Sequence, residues 1–259
     1  VEDEARRIRY RDRARKQPGI FRVRRQEAFF ARQLRKIAGH VGEIIKAWSL
    51  DNGGGLDPRA VPRLEAQLAK YAEVVRPWAR ATAGRMLAEV AARDRQTWAE
   101  HAGEMSAALK RELRDAPTGT FLRARLEEQV TEITSIPTDA ARRVQELTIK
   151  GLEDSKRAST YLDDIMRSGD VAKGRANMLA RTMVSTTASG LVEARAVHAG
   201  SEGYIFETSK DVEVRPSHRV MQGKFILWAQ PPTIEGYTAH AGCFANCRCW
   251  PRPVWPSFD

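Results

Sequence analysis

From about residue 21 the chain places apolar residues at alternating spacings of four and three. Phe30, Leu34, Ile37, Val41, Ile44 and Trp48 fall on one stripe, the mark of a long amphipathic helix. Asp51-Asn52-Gly53-Gly54-Gly55 ends it, because successive glycines weaken a helix and open positive φ. Leu64, Leu68, Tyr71, Val75 and Trp78 make a second stripe. Pro77 is expected either to kink that helix or to begin the next, which runs through Met86, Val90, Trp98, Met105 and Leu109 to about Arg114. Pro117-Thr118-Gly119 is the following break. Leu122, Leu126, Val130 and Ile133 form another stripe, closed by Ile136-Pro137. Thr138-Asp139 then caps a helix through Val144 and Leu147. Ser159 and Thr160 are expected to cap a short helix holding Leu162 and Ile165. Ser168-Gly169-Asp170 separates it from a longer one over roughly 172–199.

At Gly200 the period changes. Tyr204-Ile205-Phe206-Glu207-Thr208 predicts a strand, Val212-Glu213-Val214-Arg215 alternates as a half-buried strand does, and Phe225-Ile226-Leu227-Trp228 is a third. The prolines in Trp250-Pro251-Arg252-Pro253-Val254-Trp255-Pro256 exclude a helix or a central strand, since proline removes backbone donors. The expected fold class is mainly α, a long helical bundle or extended helices, followed by a small α+β module with a β-hairpin and a Cys-rich loop. Three stretches follow along the sequence: a basic arm over 1–20, a helical region over 21–154 and a C-terminal module over 155–259.

Charge sharpens this picture at one end. The net charge is +10, with 43 Lys and Arg against 33 Asp and Glu. Arg6, Arg7, Arg9, Arg11, Arg13, Arg15 and Lys16 concentrate it at the start. Such a block is either a solvated helix or tail, or an arm that lies on DNA or an acidic partner. No run of about 18 apolar residues is present, so no membrane span is expected. The charged start lacks the apolar stretch of a secretory signal.

Candidate chemistry is confined to 218–249. Cys243, Cys247 and Cys249 lie within seven residues, which reads as a metal site or as reduced thiols rather than a disulfide framework. His218 completes a Cys3His set if the hairpin folds back over the loop, and zinc favours that sulfur and nitrogen ligation. The alternative is a group of small buried thiols with His218 hydrogen-bonded in a turn. His240 is a rival ligand. Nothing spaces an orienting group behind Cys247 and a histidine, and neither a P-loop nor an HExxH helix is present. The chain is therefore expected not to be an enzyme, although Asp211, Glu213 and His218 would be the residues of a metal-dependent nuclease.

Three motifs occur in order: Arg175-Ala176-Asn177-Met178-Leu179-Ala180-Arg181-Thr182 on a helix, a hairpin from Thr208 through Asp211, Arg215 and His218 to Gly223, and the ending Asn246-Cys247-Arg248-Cys249. Together they resemble the phage head-morphogenesis or minor head protein family, often called MuF-like, over roughly 155–252. Met183 stands where that family commonly has an acidic or amide residue, and Cys243 is not a dependable family position. The resemblance implies a structural virion protein in multiple copies, few per particle, near the portal vertex of a tailed bacteriophage. Its implied partners are the portal protein, the major capsid protein or scaffold, with a part in head assembly, DNA packaging or ejection. It also implies a structural motif of Arg175, Arg181, Thr182, Asp211, Arg215 and Gly223. One of the two helix arginines is expected to pair with a module carboxylate such as Asp211 while the other faces outward, and Leu179 and Ala180 to pack on the hairpin. The ten residues after Cys249 leave no room for the C-terminal toxin domain some relatives carry, so none is expected.

Overall fold

The computed structural model describes residues 23–51, 58–101, 111, 115–153 and 158–255. The arginine-rich arm, the glycine run after Asp51, and Met105, Leu109 and Arg114 lie outside them. In chain order the elements are α1 (Arg24–Asp51), a 3-10 turn (Pro58–Ala60), α2 (Val61–His101), α3 (Thr118–Glu153), α4 (Ala158–Met166), α5 (Ser168–His198), β1 (Gly203–Glu207), α6 (Pro216–Arg219), β2 (Phe225–Leu227), β3 (Thr233–Ile234), β4 (Tyr237–Thr238) and β5 (Trp250–Val254). The chain is mainly α with a small antiparallel module, as its periodicities indicate.

Two compact units share these elements. The helical unit comprises Glu27–Arg85 and Leu126–Ala180. Its core takes Phe30, Leu34, Ile37, Val41, Ile45 and Trp48 from α1, with Leu64, Leu68, Val130, Ile133, Ile136 and Val144. Ile45, not Ile44, is buried on α1; Ala31 and Ala38 are buried beside the stripe and turn its centre toward Ile45. Likewise Tyr71 and Trp78 are only half-buried, and Ala72 and Ala79 occupy the inner face. Small residues carry no strong hydropathy signal, so the larger neighbours marked the wrong edge of the face.

Neither internal proline ends a helix. Pro77 lies within α2 and Pro137 within α3. Pro77 is exposed, so the carbonyl it leaves without a donor can turn to water. Pro137 is buried, and hydroxyls flanking it bond carbonyls of the same helix. The Thr134 hydroxyl lies 3.0 and 3.1 Å from the Val130 and Thr131 carbonyls, and the Ser135 and Thr138 hydroxyls donate to Glu132 and Ser135 at 2.8 and 3.1 Å. With Ile133 and Ile136 before it and Ala140 after it buried, packing holds the helix through the proline. Thr138-Asp139 is accordingly mid-helix, not a cap. Ser159 and Thr160 fall inside α4. Ser168-Gly169-Asp170 is the first turn of α5, not a linker. Gly169 is there because α1 comes very close: a Cβ on it would sit 2.9 Å from the Gly42 Cα.

The second unit includes Met86–Arg125 and Arg181–Asp259. β1 is the central strand of a sheet ordered β2-β1-β5, antiparallel throughout, with Tyr204 opposite Ile226 on one side and Pro253 on the other. The proline-bearing β5 is an edge strand, where missing donors cost little. Trp98, Val192, Ala196, Tyr204, Phe206 and Trp228 build the core, and Phe244, Cys247 and Cys249 close it. A charge pair is buried in this unit: Arg195 Nε lies 2.6 Å from Asp94 Oδ2, and Asp94 Oδ1 accepts the Trp98 Nε1 hydrogen at 3.1 Å.

Candidate functional site

Between β1 and β2 the chain does not form the strand expected at 212–215. The Asp211 carboxylate accepts the Glu213 N–H at 3.1 Å and the Asp211 carbonyl accepts from Val214 at 3.3 Å. That Asx-type turn competes with a ladder and leaves Val212 90% exposed. Arg215-Pro216 then starts the short α6, with proline in its first turn. α6 carries His218 inward, 2% exposed. Gly223 returns the chain to the sheet, donating its N–H to the Phe206 carbonyl at 2.8 Å. Alongside, Thr208 donates both its N–H and its hydroxyl to Gln222 Oε1, at 2.8 and 2.7 Å. Gln222 Nε2 in turn donates to Glu207 at 2.6 Å.

The cysteine loop comes to His218 from the other side. Gly242, at φ +86, begins it; a Cβ there would lie 2.1 Å from Ser189 Oγ and 2.9 Å from the Cys249 carbonyl. Asn246 also takes a left-handed φ of 57, a conformation asparagine tolerates better than most residues. Two motif residues fix that turn: Arg181 donates to Asn246 Oδ1 at 2.7 Å, and Thr182 Oγ1 accepts the Asn246 N–H at 2.9 Å. The Arg-Thr pair and the Asn-Cys-Arg-Cys ending are therefore two halves of one contact. Asp211 lies 3.6 Å from Arg248.

Arg175 belongs to the helical unit, where it reaches Asp139 at 2.7 Å and the Ser135 hydroxyl at 2.9 Å. Leu179 and Ala180 are buried and belong to the helical unit. Met183, where the family commonly has a polar residue, is 4% exposed.

His218, Cys247 and Cys249 converge. Their ligand atoms all lie within 4.8 Å of one another, and His218 Nδ1 stands 3.4 Å from each sulfur. Cys243 stays out of the cluster. Its thiol is held by Thr186, and burial pushes it up to about 12. His240 is also elsewhere, 3.2 Å from the Tyr204 hydroxyl. Of the four candidate ligands, three are brought together and Cys243 is not.

The cluster's proton positions follow from Arg215. Its Nη2 is 2.9 Å from His218 Nε2, and a guanidinium can only donate. Nε2 is thus the acceptor, and Nδ1 carries the imidazole proton toward the sulfurs. Cys247 is pulled down to about 6, first by the Cys249 thiol that hydrogen-bonds it and further by His218. Cys249 is pushed up by the same bond and by burial. The pair shares one proton, with the thiolate on Cys247, which also accepts the Cys249 N–H at 3.2 Å. Glu235, which the sequence did not single out, anchors the far side: it takes Arg215 Nη1 at 3.0 Å and the Ser217 hydroxyl. Asn246 was legible only as a neighbour of Cys-x-Cys, and nothing in the sequence marked Glu235 or Gln222.

A mainly helical chain with a small antiparallel module, sealed by an imidazole–dithiol cluster and gripped by an Arg-Thr pair, is the class these features define. Residues 142–251 match the family described as Phage Mu protein F like protein. Neither a curated protein nor a solved structure matches the chain. Among the described residues no helix is long and apolar enough to cross a membrane.

Proposed function

We propose that the chain is a minor head protein of a tailed bacteriophage, carried in the virion head near the portal vertex and formed into procapsids in the host cytoplasm. Its work is assembly, DNA packaging or ejection through docking on the portal, major capsid or scaffold protein, and no catalytic step is assigned to it. The observation that carries the reading is the Arg181–Asn246–Thr182 grip. It gives the family-matched segment a physical reason for its signature: these residues build a rigid surface rather than reach a substrate. The division into an arm over 1–20, a helical region over 21–154 and a module over 155–259 is part of this reading, as is zinc held by the His218 cluster as a lock on the module. The test is cross-linking with mass spectrometry on procapsids assembled from the phage's portal, scaffold and major capsid proteins together with this chain. Cross-links from the 204–254 surface to the portal are expected; absence of the chain from washed procapsids would sink the proposal.

A second reading, a DNA-binding accessory role, rests on the net charge of +10 and the arginines at 6–15. Contact with about 6–10 phosphates predicts an affinity drop of roughly 10³–10⁵ between 50 and 200 mM salt. Binding that ignores salt would leave protein docking alone.

A further inference from the structure

The ligand set of the cluster has a consequence for what else can bind there. A tetrahedron with zinc–sulfur bonds of about 2.3 Å and zinc–nitrogen bonds of about 2.0–2.1 Å has nitrogen–sulfur edges of about 3.5 Å. The observed His218 Nδ1 to sulfur distances, 3.4 Å to both Cys247 and Cys249, fit that edge. Arg215 does not oppose it. Once a metal replaces the proton on Nδ1, which passes to solvent, the imidazole takes one up on Nε2 instead and Arg215 must release that nitrogen. The guanidinium already has two other acceptors, Glu235 Oε2 at 3.0 Å and the Ala245 carbonyl at 3.4 Å.

A fourth protein donor is missing among the described residues. Cys243 is held by Thr186 outside the cluster. His240 is engaged by Tyr204 and stands 3.6 Å from Glu193. Asp211 is a carboxylate bordering the same cavity, yet one oxygen accepts the Glu213 N–H and the other faces Arg248. What the three donors do border is a cavity of about 120 Å³, shared with Asp211, Arg215 and Arg248. That is ample for water, which needs only about 10–15 Å³ of such space.

We infer that His218 Nδ1, Cys247 Sγ and Cys249 Sγ hold a thiophilic divalent cation as a three-donor site, whose fourth coordination position faces this cavity and accepts an exchangeable donor from outside the chain. This deepens the zinc reading above and rests on it. Structural zinc sites are closed by four protein ligands, whereas an open position takes water or a donor atom of another molecule. The site is then a port for a small nitrogen or sulfur donor, and the cationic rim of Arg215 and Arg248 suits one that is anionic.

The experiment loads the full chain with Zn²⁺, and separately with Co²⁺, and then adds imidazole or 2-mercaptoethanol. One equivalent of metal is expected, and the cobalt absorption bands should move when the small donor is added. His218→Ala, Cys247→Ser and Cys249→Ser should each weaken binding by more than the ~10–100-fold typical of losing an outer partner; Cys243→Ser should leave it unchanged. Metal uptake with cobalt bands that ignore added donors overturns the open position while leaving zinc in place. Loss of metal in Cys243→Ser with circular dichroism unaltered does the same, since Cys243 would then be the fourth ligand. A folded wild-type chain that takes up no metal overturns both proposals. Because the donor titration uses the unaltered chain, the result does not depend on any variant folding.

Discussion

The helical unit and the unit holding the β module are stabilised by different means. In the first, apolar faces carry the structure, and an ion pair such as Arg80–Glu127, at 2.7 Å, is more than half exposed on both sides. In the second, polar and ionisable groups have gone inside. Asp94 and Arg195 are 0% and 6% exposed, Tyr204 is fully buried with its hydroxyl accepting the Ala241 N–H at 3.2 Å, and His218 faces two thiols. An apolar core tolerates change by degrees. A buried polar network fails when one member is removed, because the partner keeps its desolvation cost.

The largest expected effect tests that contrast directly. Asp94→Ala removes the carboxylate that faces the buried Arg195 guanidinium and should cost about 3–5 kcal/mol in chemical denaturation. The pair is not a net source of stability in its own right. Burial pushes the Asp94 carboxyl up even though Arg195 and Trp98 act to lower it. The double variant Asp94→Leu/Arg195→Met should therefore recover most of the loss. If Asp94→Ala costs no more than a surface substitution, the two units do not differ in the way described.

A pH titration probes the thiol pair next. In metal-free protein the Cys247 thiol loses its proton at about 6, against 9.0 for a free thiol. Between those values the unfolded chain binds more protons than the folded one, so stability should rise with pH across that window and fall as pH drops through about 6. Thiolate absorbance near 240 nm should report one early ionisation. Cys249→Ala removes the hydrogen bond that chiefly lowers Cys247 and should move that ionisation upward; an unchanged midpoint would rule out the shared proton.

Glycine substitutions should differ in sign between the units. Gly39, on α1, has nothing within 4 Å of an added Cβ, so Gly39→Ala should stabilise by about 0.5–1 kcal/mol through helix propensity. Gly242 is left-handed and faces Ser189 and the Cys249 carbonyl, so Gly242→Ala should destabilise by about 1–3 kcal/mol and disturb the thiol titration as well. Equal thermal shifts in the two variants would break the comparison.

The same contrast explains what the sequence could disclose. Helix stripes were legible because large apolar side chains mark them; the errors at Ile44, Tyr71 and Trp78 arose where alanines occupy the inner face. The helix ends placed at Pro137 and Ser168 were wrong because tertiary packing overrides local punctuation. In the module, Tyr204 and Phe225 gave away two strands, whereas the Asp211 turn competed with a third. The cluster of His218, Cys247 and Cys249 was visible as residue types but not as a set, since excluding Cys243 depends on Thr186. The Asp139 partner of Arg175 was not legible for a related reason: it lies just past Pro137, on a helix whose local signals place a break there.

The smallest effect belongs to the exposed Arg80–Glu127 pair. The geometry is good, with both guanidinium nitrogens on the carboxylate at 2.7 and 2.8 Å. The hydrogen bond holds the Glu127 carboxyl below its usual range. Water nonetheless reaches both groups, the long side chains lose freedom in pairing, and salt at physiological strength screens beyond about 8 Å. Arg80→Ala should therefore leave the denaturation midpoint unchanged within error, at low and at high salt alike. Short distances alone would rank this pair beside Asp94–Arg195, where the N–O separation is 2.6 Å. Only burial separates them, so a loss in Arg80→Ala approaching that of Asp94→Ala would show that burial is not what distinguishes the two units.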